Sequence, residues 1–197
     1  MSDGWSRYYE AAGADPRPTL LEALDRFEAE GRGAGTAVDL GCGTGRDTRE
    51  LLRRGWHVIA VDGDAEAMEH LAALAHEDGI AGELEPLLAR YDQARWRQVD
   101  LVNASFSLPF CEPADFPATW ARIRESLRPG GRFSGHLFGD RDEWAGETDM
   151  TFHSRAEVDA LLDGLELERL DEVEEDGHTA LGEAKRWHRF HVVVRQP

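Results

Sequence analysis

A short apolar strand that runs into three closely spaced glycines constrains the fold more than any other part of the sequence. The segment reads Val38-Asp39-Leu40-Gly41-Cys42-Gly43-Thr44-Gly45 and follows a β-branched residue, Thr36. Glycines let the backbone turn sharply and approach a ligand closely, and a helix that follows such a turn offers free N–H groups. The segment therefore predicts a strand, a ligand-binding turn and a helix, in that order.

Strand and helix patterns alternate five times along the chain, which is typical of a parallel sheet with helices on both faces. The predicted strands span 36–40, 57–61, 83–89, 98–104 and 132–138. Two final β-rich stretches, 165–173 and 187–195, flank a polar segment without helical periodicity, so they should pair as an antiparallel hairpin. We expect a single domain over 1–197, with a lid and helix in 1–35 and the core in 36–197.

Local signals place the ends of several helices. Thr19 with Glu22 and Ser154 with Glu157 have the spacing of capping boxes, so each pair predicts a helix start. The turn Arg128-Pro129-Gly130-Gly131 should lead into the fifth strand.

The charge of the chain excludes several classes of partner. A formal net charge of −17 disfavours nucleic acid and anionic membrane surfaces, because both attract basic proteins. Cys42 and Cys111 lie far apart without metal-ligand spacing, so we expect reduced thiols and no metal site. The chain opens without a signal-peptide pattern, and no apolar run approaches the roughly 18 residues that a membrane span needs. A cytoplasmic protein is expected.

The glycine spacing favours a cationic ligand over a dinucleotide. Dinucleotide sites use G-x-G-x-x-G, whereas this turn reads G-x-G-x-G and has Arg46 where the last glycine would stand. Asp39 and Asp47 would repel a pyrophosphate, but they suit the sulfonium and α-amino cations of S-adenosylmethionine. Asp62 ends the second predicted strand, where a carboxylate can accept both hydroxyls of an adenosine ribose. Taken alone, Asp62 would be read as a helix-capping or turn carboxylate.

The run from Asp39 to Gly45, Asp62 and the turn Leu127-Arg128-Pro129-Gly130-Gly131 resemble the successive motifs of class I S-adenosylmethionine-dependent methyltransferases. The resemblance extends from about Thr36 to the terminal hairpin, and the size is similar to that of small tellurite-resistance-type methyltransferases. It implies a Rossmann-like class I methyltransferase fold, with a mostly parallel seven-stranded sheet and an antiparallel C-terminal hairpin.

The resemblance also implies roles for individual residues. Asp39, Gly41, Gly43 and Gly45 would hold the methionine end of the cofactor, and Asp62 would hold the ribose. Cys42 and Gly63 belong to the same two loops and are counted with the cofactor-binding residues. Many members of the superfamily bind the adenine amino group with an acidic residue after the third strand, but this chain reads Ala89-Arg90-Tyr91-Asp92. Tyr91 could pack on the adenine ring there, or Asp92 could replace the acidic residue.

Residues after the fourth and fifth strands are candidates for the acceptor site. Asn103 is counted with the cofactor-binding residues and could also orient an acceptor, or it could be a polar strand end satisfied by backbone. The loop predicted over 136–153 could supply Arg141 as a clamp for an acceptor carboxylate and His136 or His153 to remove a proton. The alternative is a solvated loop with locally paired charges.

The N-terminal aromatic residues Trp5, Tyr8 and Tyr9 either fold over the cofactor as a lid or pack as ordinary aromatics. The predicted function is methyl transfer from S-adenosylmethionine to a small-molecule acceptor by in-line displacement. A non-enzymatic S-adenosylmethionine-binding module stays open as an alternative, and an NAD-dependent oxidoreductase conflicts with the glycine spacing. The sequence gives no indication of the oligomeric state.

Overall fold

The computed structural model describes residues 13–74, 76–77 and 79–197. The helices of this part are α1 (Pro18–Ala29), α2 (Arg46–Arg53), α3 (Ala65–Leu74), α4 (Phe116–Ser126) and α5 (Arg155–Leu161), with a 3₁₀ turn at Leu108–Phe110. The strands are β1 (Thr36–Leu40), β2 (His57–Asp62), β3 (Glu83–Leu88), β4 (Val99–Ala104), β5 (Leu127–Gly139), β6 (Phe152–His153), β7 (Glu166–His178) and β8 (Ala184–Arg195).

The strands form one mixed sheet in the order β3-β2-β1-β4-β5-β8-β7. The first five strands are parallel, and β8 runs antiparallel to both β5 and β7. The predicted mostly parallel sheet with an antiparallel C-terminal hairpin is therefore confirmed. An eighth strand, β6, adds two residues beside the end of β5 and is too short to leave a pattern in the sequence.

Alternate residues of the parallel strands pack on opposite faces of the sheet. Ala37 packs with buried residues of α1 and α2, including Leu24 and Leu51, whereas Val38 packs toward Trp120 of α4. Strands buried on both faces read as continuous apolar runs, as β1 and β2 do. In the described residues, no helix has the length and apolar character that crossing a membrane requires.

One of the two predicted capping boxes is wrong. Helix α1 begins at Pro18, because proline suits the first helical position, and Thr19 is buried inside the first turn. Glu22 pairs with Arg26 at 2.7 Å instead of closing a capping box. The second box is confirmed, because the Ser154 hydroxyl accepts from the backbone N–H of Glu157 and the Glu157 carboxylate accepts from the backbone N–H of Ser154.

The turn predicted before the fifth strand lies within β5 as a bulge. Val99 faces Leu127 and Leu101 faces Arg132, so the residues between 127 and 132 have no partners on β4. Gly130 takes a φ of 74° in this bulge. The backbone of Gln196 donates to the carbonyl of Gly131, which ties the C-terminal end of the chain to this start of β5.

The extent of β5 and of the hairpin corrects two further predictions. Strand β5 continues to Gly139, so His136 lies in the sheet opposite His191 and not in a loop. The polar segment 174–185 lies mostly in β7 and β8, which extend the predicted hairpin beyond its apolar part. Ion pairs between the strands, such as Arg186 with Glu174 at 2.6 Å, compensate for the missing apolar contacts.

Candidate active site

A cleft of about 1010 Å³ opens at the carboxyl ends of β1, β2 and β4. Its lining includes the glycine turn after β1, the residues after β2 and β3, and the segment after β4. The strand order changes direction between the neighbouring strands β1 and β4. Parallel α/β sheets bind ligands at such a switch point.

The glycines of the first turn adopt backbone conformations that other residues rarely adopt. Gly41, Gly43 and Gly45 have φ values of 73°, 52° and 86°. A Cβ atom on Gly41 would lie 2.3 Å from Cβ of Ser107, and one on Gly45 would lie 2.3 Å from Cδ1 of Leu74. Side chains are thus excluded at both positions, and the turn lies directly against the segment after β4.

Asp62 lies at the end of β2, beside the glycine turn. Its Oδ2 accepts from the backbone N–H of Gly43 at 2.8 Å, and its Oδ1 accepts from the backbone N–H of Asp64 at 3.0 Å. Burial raises the pKa of the Asp62 carboxyl above its usual value, although these hydrogen bonds act in the opposite direction. Each carboxylate oxygen can accept a second hydrogen bond, so the turn contacts leave capacity for two ribose hydroxyls.

A buried network joins Asp39, Asp47 and Asn103. The Asn103 Nδ2 donates to Asp39 Oδ1 at 2.9 Å and to Asp47 Oδ2 at 3.0 Å. The Thr48 hydroxyl donates to Asp39 Oδ2 at 2.6 Å. Burial, reinforced by the charge of Asp47, raises the pKa of the Asp39 carboxyl to about 7. The network places two carboxyl groups directly beneath the glycine turn.

The side-chain amide of Asn103 makes all its hydrogen bonds within this network. Its Oδ1 accepts from the hydroxyls of Ser134 at 2.8 Å and Ser105 at 3.2 Å, so both ends of the amide are occupied by protein partners. The side chain is fully buried below the cleft. The alternative of a strand end satisfied by backbone does not hold either, because all the partners are side chains. Asn103 orders the two carboxyl groups and has no capacity left to orient an acceptor.

The remaining predicted cofactor residues surround the same turn. Cys42 and Gly63 line the cleft. Burial raises the pKa of the Cys42 thiol well above its ordinary value, so the thiol is a packing group. The Tyr91 hydroxyl donates to the carbonyl of Ser107 at 2.8 Å, and its side chain lines the cleft together with Asp92.

The structure does not bring the three predicted acceptor-site residues into the cleft lining. His136 is buried in β5, and its ring stacks on Phe106 at a centroid distance of 3.8 Å. Burial, with His191 acting in the same direction, holds the pKa of the His136 imidazole well below its ordinary value. His153 lies in β6 against Phe116, 4.6 Å between ring centroids, and burial lowers the pKa of its imidazole.

Arg141 lies on the hairpin side of the loop after β5. Its guanidinium is exposed and donates to Glu172 at 2.8 Å and Glu174 at 3.0 Å, both on β7. The alternative of locally paired charges therefore describes Arg141, because its hydrogen bonds are directed to β7 and not to the cleft. Trp5, Tyr8 and Tyr9 lie outside the described residues, so their expected role as a lid stays a prediction.

Arg17 and Phe106, which sequence reasoning missed, line the cleft together with Trp144 of the loop predicted to hold the acceptor. Phe106 has a φ of 54°, a strained conformation that often marks a functional position. The Arg17 guanidinium lies 4.6 Å from the centroid of the Phe106 ring, and the Arg17 backbone N–H donates to Asp47 at 2.9 Å. No residue-type signal indicates a positive φ at phenylalanine, and Trp144 could have been found only as the aromatic residue of the loop after β5.

Comparisons with known proteins show what this chain is similar to. Residues 37–131 match the family model described as "Methyltransferase domain". The chain is 33% identical over 123 residues to the carboxy-S-adenosyl-L-methionine synthase of Stutzerimonas stutzeri (strain A1501), covering 58% of this chain and 50% of that protein. It thus spans about half the length of the curated relatives it matches.

Solved structures share the fold at low sequence identity. TehB from Haemophilus influenzae superposes with a TM-score of 0.76 at 16% identity, covering 89% of this chain and 62% of that chain. The N-methyltransferase NodS from Bradyrhizobium japonicum WM9, solved in complex with S-adenosyl-L-homocysteine, superposes with a TM-score of 0.69 at 15% identity. That alignment covers 100% of this chain and 98% of NodS.

Proposed function

We propose that the chain is a class I S-adenosylmethionine-dependent methyltransferase, in agreement with the methyltransferase-domain match over residues 37–131, and that it transfers the methyl group of S-adenosylmethionine to a small-molecule acceptor. The observation that carries the proposal is the carboxylate-lined glycine turn at the switch point of the sheet, with Asp62 beside it.

The residues present fit the cofactor. Packing against Ser107 and Leu74 requires glycine at two positions of the turn, and Asp62 retains acceptor capacity for the ribose hydroxyls. The carboxylate of Asp47, joined by that of Asp39 once the pH exceeds about 7, supplies negative charge beneath the turn, which suits the sulfonium and α-amino cations. Tyr91 and Asp92 line the cleft beyond β3, where we place the adenine ring.

In this reaction the protein mainly has to align the methyl donor with the acceptor. When bound, S-adenosylmethionine supplies an activated methyl group, which an acceptor nucleophile attacks in line while the carbon–sulfur electron pair passes to sulfur. The protein holds donor and acceptor in register and excludes water, which is the main source of rate enhancement in such a displacement. Phe106 and Trp144 stand where they can exclude water from the acceptor side.

The two rival functions are disfavoured by particular features. A module that only bound the cofactor would have no use for an acceptor pocket, yet the cleft continues past the glycine turn to Phe106, Phe110 and Trp144. A dinucleotide would place its pyrophosphate beside Asp39 and Asp47, where the charges repel. We further propose that the protein acts in the cytoplasm, which agrees with its two free, buried cysteines.

Calorimetry tests the proposed function. We expect S-adenosylmethionine and S-adenosylhomocysteine to bind with micromolar dissociation constants and NAD to show no comparable binding. Incubation with S-adenosylmethionine and a panel of small-molecule acceptors should then release S-adenosylhomocysteine. Tight binding of NAD without binding of either sulfur compound would contradict the proposal.

A further inference from the structure

Three aromatic side chains that line the cleft meet around one buried residue. The ring centroids of Phe106, Phe110 and Trp144 lie 6.4, 6.3 and 6.3 Å from that of Phe138, which is 2% exposed. All three also line the cleft, and we call them together the aromatic wall. The wall lies beyond the glycine turn, at the acceptor end of the cleft.

The loop that carries Trp144 is fixed at both ends. At its start, the fully buried Asp142 forms an ion pair with Lys185 and accepts from the backbone N–H groups of Trp144 at 3.0 Å and His188 at 3.1 Å. At its end, Thr151 donates its backbone N–H to the Pro109 carbonyl at 2.9 Å and its hydroxyl to the carbonyl of Cys111 at 2.6 Å. These contacts therefore fix the position of the loop against the cleft.

The lining of the cleft as a whole carries an excess of negative charge. Of the described residues that line the cleft, ten are carboxylates and three are arginines. Arg90 is paired with Glu112 at 2.8 Å, but Asp115, Glu147 and Asp149 form no ion pair with any described residue. The two Thr151 hydrogen bonds bring the loop with Glu147 and Asp149 beside the segment that leads to Asp115.

Aromatic rings together with carboxylates that form no ion pair create an environment that favours cations carrying an aromatic ring. Arg17 shows the preference for a cation on the wall itself, because its planar guanidinium already lies on Phe106. A carboxylate or phosphate at the same place would meet the charges of Glu147 and Asp149.

We propose, on the basis of the methyl transfer proposed above, that the acceptor is a small arylalkylamine, an amine joined to an aromatic ring by a short alkyl chain, whose ring contacts the aromatic wall of Phe106, Phe110 and Trp144. Its amino group is directed to the carboxylates of Asp115, Glu147 and Asp149. These carboxylates, together with Trp144, determine acceptor specificity. Arg141, whose guanidinium is engaged on β7, does not contact the acceptor.

The charges of the reaction agree with this assignment. The amine gives up a proton to water and attacks through its neutral lone pair. The new carbon–nitrogen bond forms as the carbon–sulfur bond breaks, and the positive charge passes from sulfur to nitrogen. Carboxylates near the acceptor nitrogen therefore stabilise a charge that develops in the transition state and is complete in the methylated ammonium product.

Pairs of probes that share a ring but carry opposite charges test the proposal. The protein is saturated with S-adenosylhomocysteine and titrated by calorimetry with tryptamine against indole-3-propanoate, and with phenethylamine against 3-phenylpropanoate. We expect each amine to bind at least tenfold more tightly than the carboxylate with the same ring, and the ratio to fall as salt rises. Equal affinities, tighter binding of the carboxylates, or no binding by either amine would overturn the proposal.

A pair of double variants locates the effect. Glu147→Gln with Asp149→Asn should lower the preference for the amine at least threefold. Glu125→Gln with Asp163→Asn makes the same chemical changes at exposed positions outside the cleft lining and should leave the preference unchanged. An equal loss in both would mean that overall charge and not the cleft selects the probe. The affinity for S-adenosylhomocysteine, measured first, tests the methyl-transfer proposal separately.

Discussion

The backbone of Gly41 and the side chain of Ser107 are so close that a Cβ atom on Gly41 would lie 2.3 Å from Cβ of Ser107. The turn after β1 and the segment after β4 therefore form one packed unit, although 66 positions separate them in the chain (107 − 41 = 66).

The contact with Ser107 predicts that alanine is destabilising at Gly41, whereas the open surroundings of Gly63 should tolerate alanine. Gly41→Ala should destabilise the protein by about 2 kcal/mol or more, because its φ is 73° and its new methyl group would meet Ser107. It should also weaken S-adenosylhomocysteine binding at least tenfold. Gly63→Ala is the matched control for stability and should leave the free energy of unfolding nearly unchanged, since its Cβ would lie 3.6 Å from Cγ of Arg90 in ordinary contact. Urea denaturation and calorimetry on both variants check the contrast.

Asp62→Ala should cost about 2 to 4 kcal/mol of cofactor affinity, because charge-assisted hydrogen bonds are worth roughly 1.5 to 3 kcal/mol each. Asp64→Asn changes the neighbouring carboxylate, which caps α3 through the backbone N–H of Glu66, and should leave affinity within about threefold. Calorimetry with S-adenosylhomocysteine measures both. Unchanged affinity in a folded Asp62→Ala protein would mean that Asp62 only stabilises the turn and does not bind the cofactor.

Asn103→Leu should lower the free energy of unfolding by about 2 to 4 kcal/mol, because it removes the donor shared by two buried carboxyl groups. Ser105→Ala removes one of the two hydroxyls that donate to the Asn103 oxygen and should cost about 1 kcal/mol or less. Urea denaturation of the two variants tests the ranking. Similar losses would mean that the amide does not hold the carboxyl groups together.

The raised pKa of Asp39 predicts a pH dependence of stability. In the folded protein the carboxyl keeps its proton up to about pH 7, whereas an unfolded aspartate loses it near pH 4. Its contribution to stability is therefore complete below pH 4 and is lost as the pH rises through 7. Asp39→Asn does not ionise, so it should gain about 2 kcal/mol relative to the native protein between pH 5 and pH 8. Urea denaturation at both pH values measures the difference, and an unchanged difference would contradict a raised pKa.

The sequence predicted the parallel core well, because apolar runs and glycine turns are local signals. Strand β1 has its predicted bounds, and β2, β3 and β4 differ from prediction by one residue at an end. The cofactor turn was identifiable for the same reason. The acceptor side was less predictable, because Arg141 and His136 were chosen for their chemistry, and their neighbours on β7, β8 and Phe106 follow only from tertiary pairing.

The backbone hydrogen bond between Gln196 and Gly131 has a practical consequence for how the protein is immobilised. It holds the end of the chain at the start of β5, on the side of the sheet opposite the cleft, whereas Gly13 lies in the cleft lining. A sample immobilised on a sensor surface through Pro197 should therefore present an open cleft to injected ligands. Attachment at Gly13 would place the tether in the cleft lining itself, so a binding signal measured in that orientation would report the attachment as well as the site.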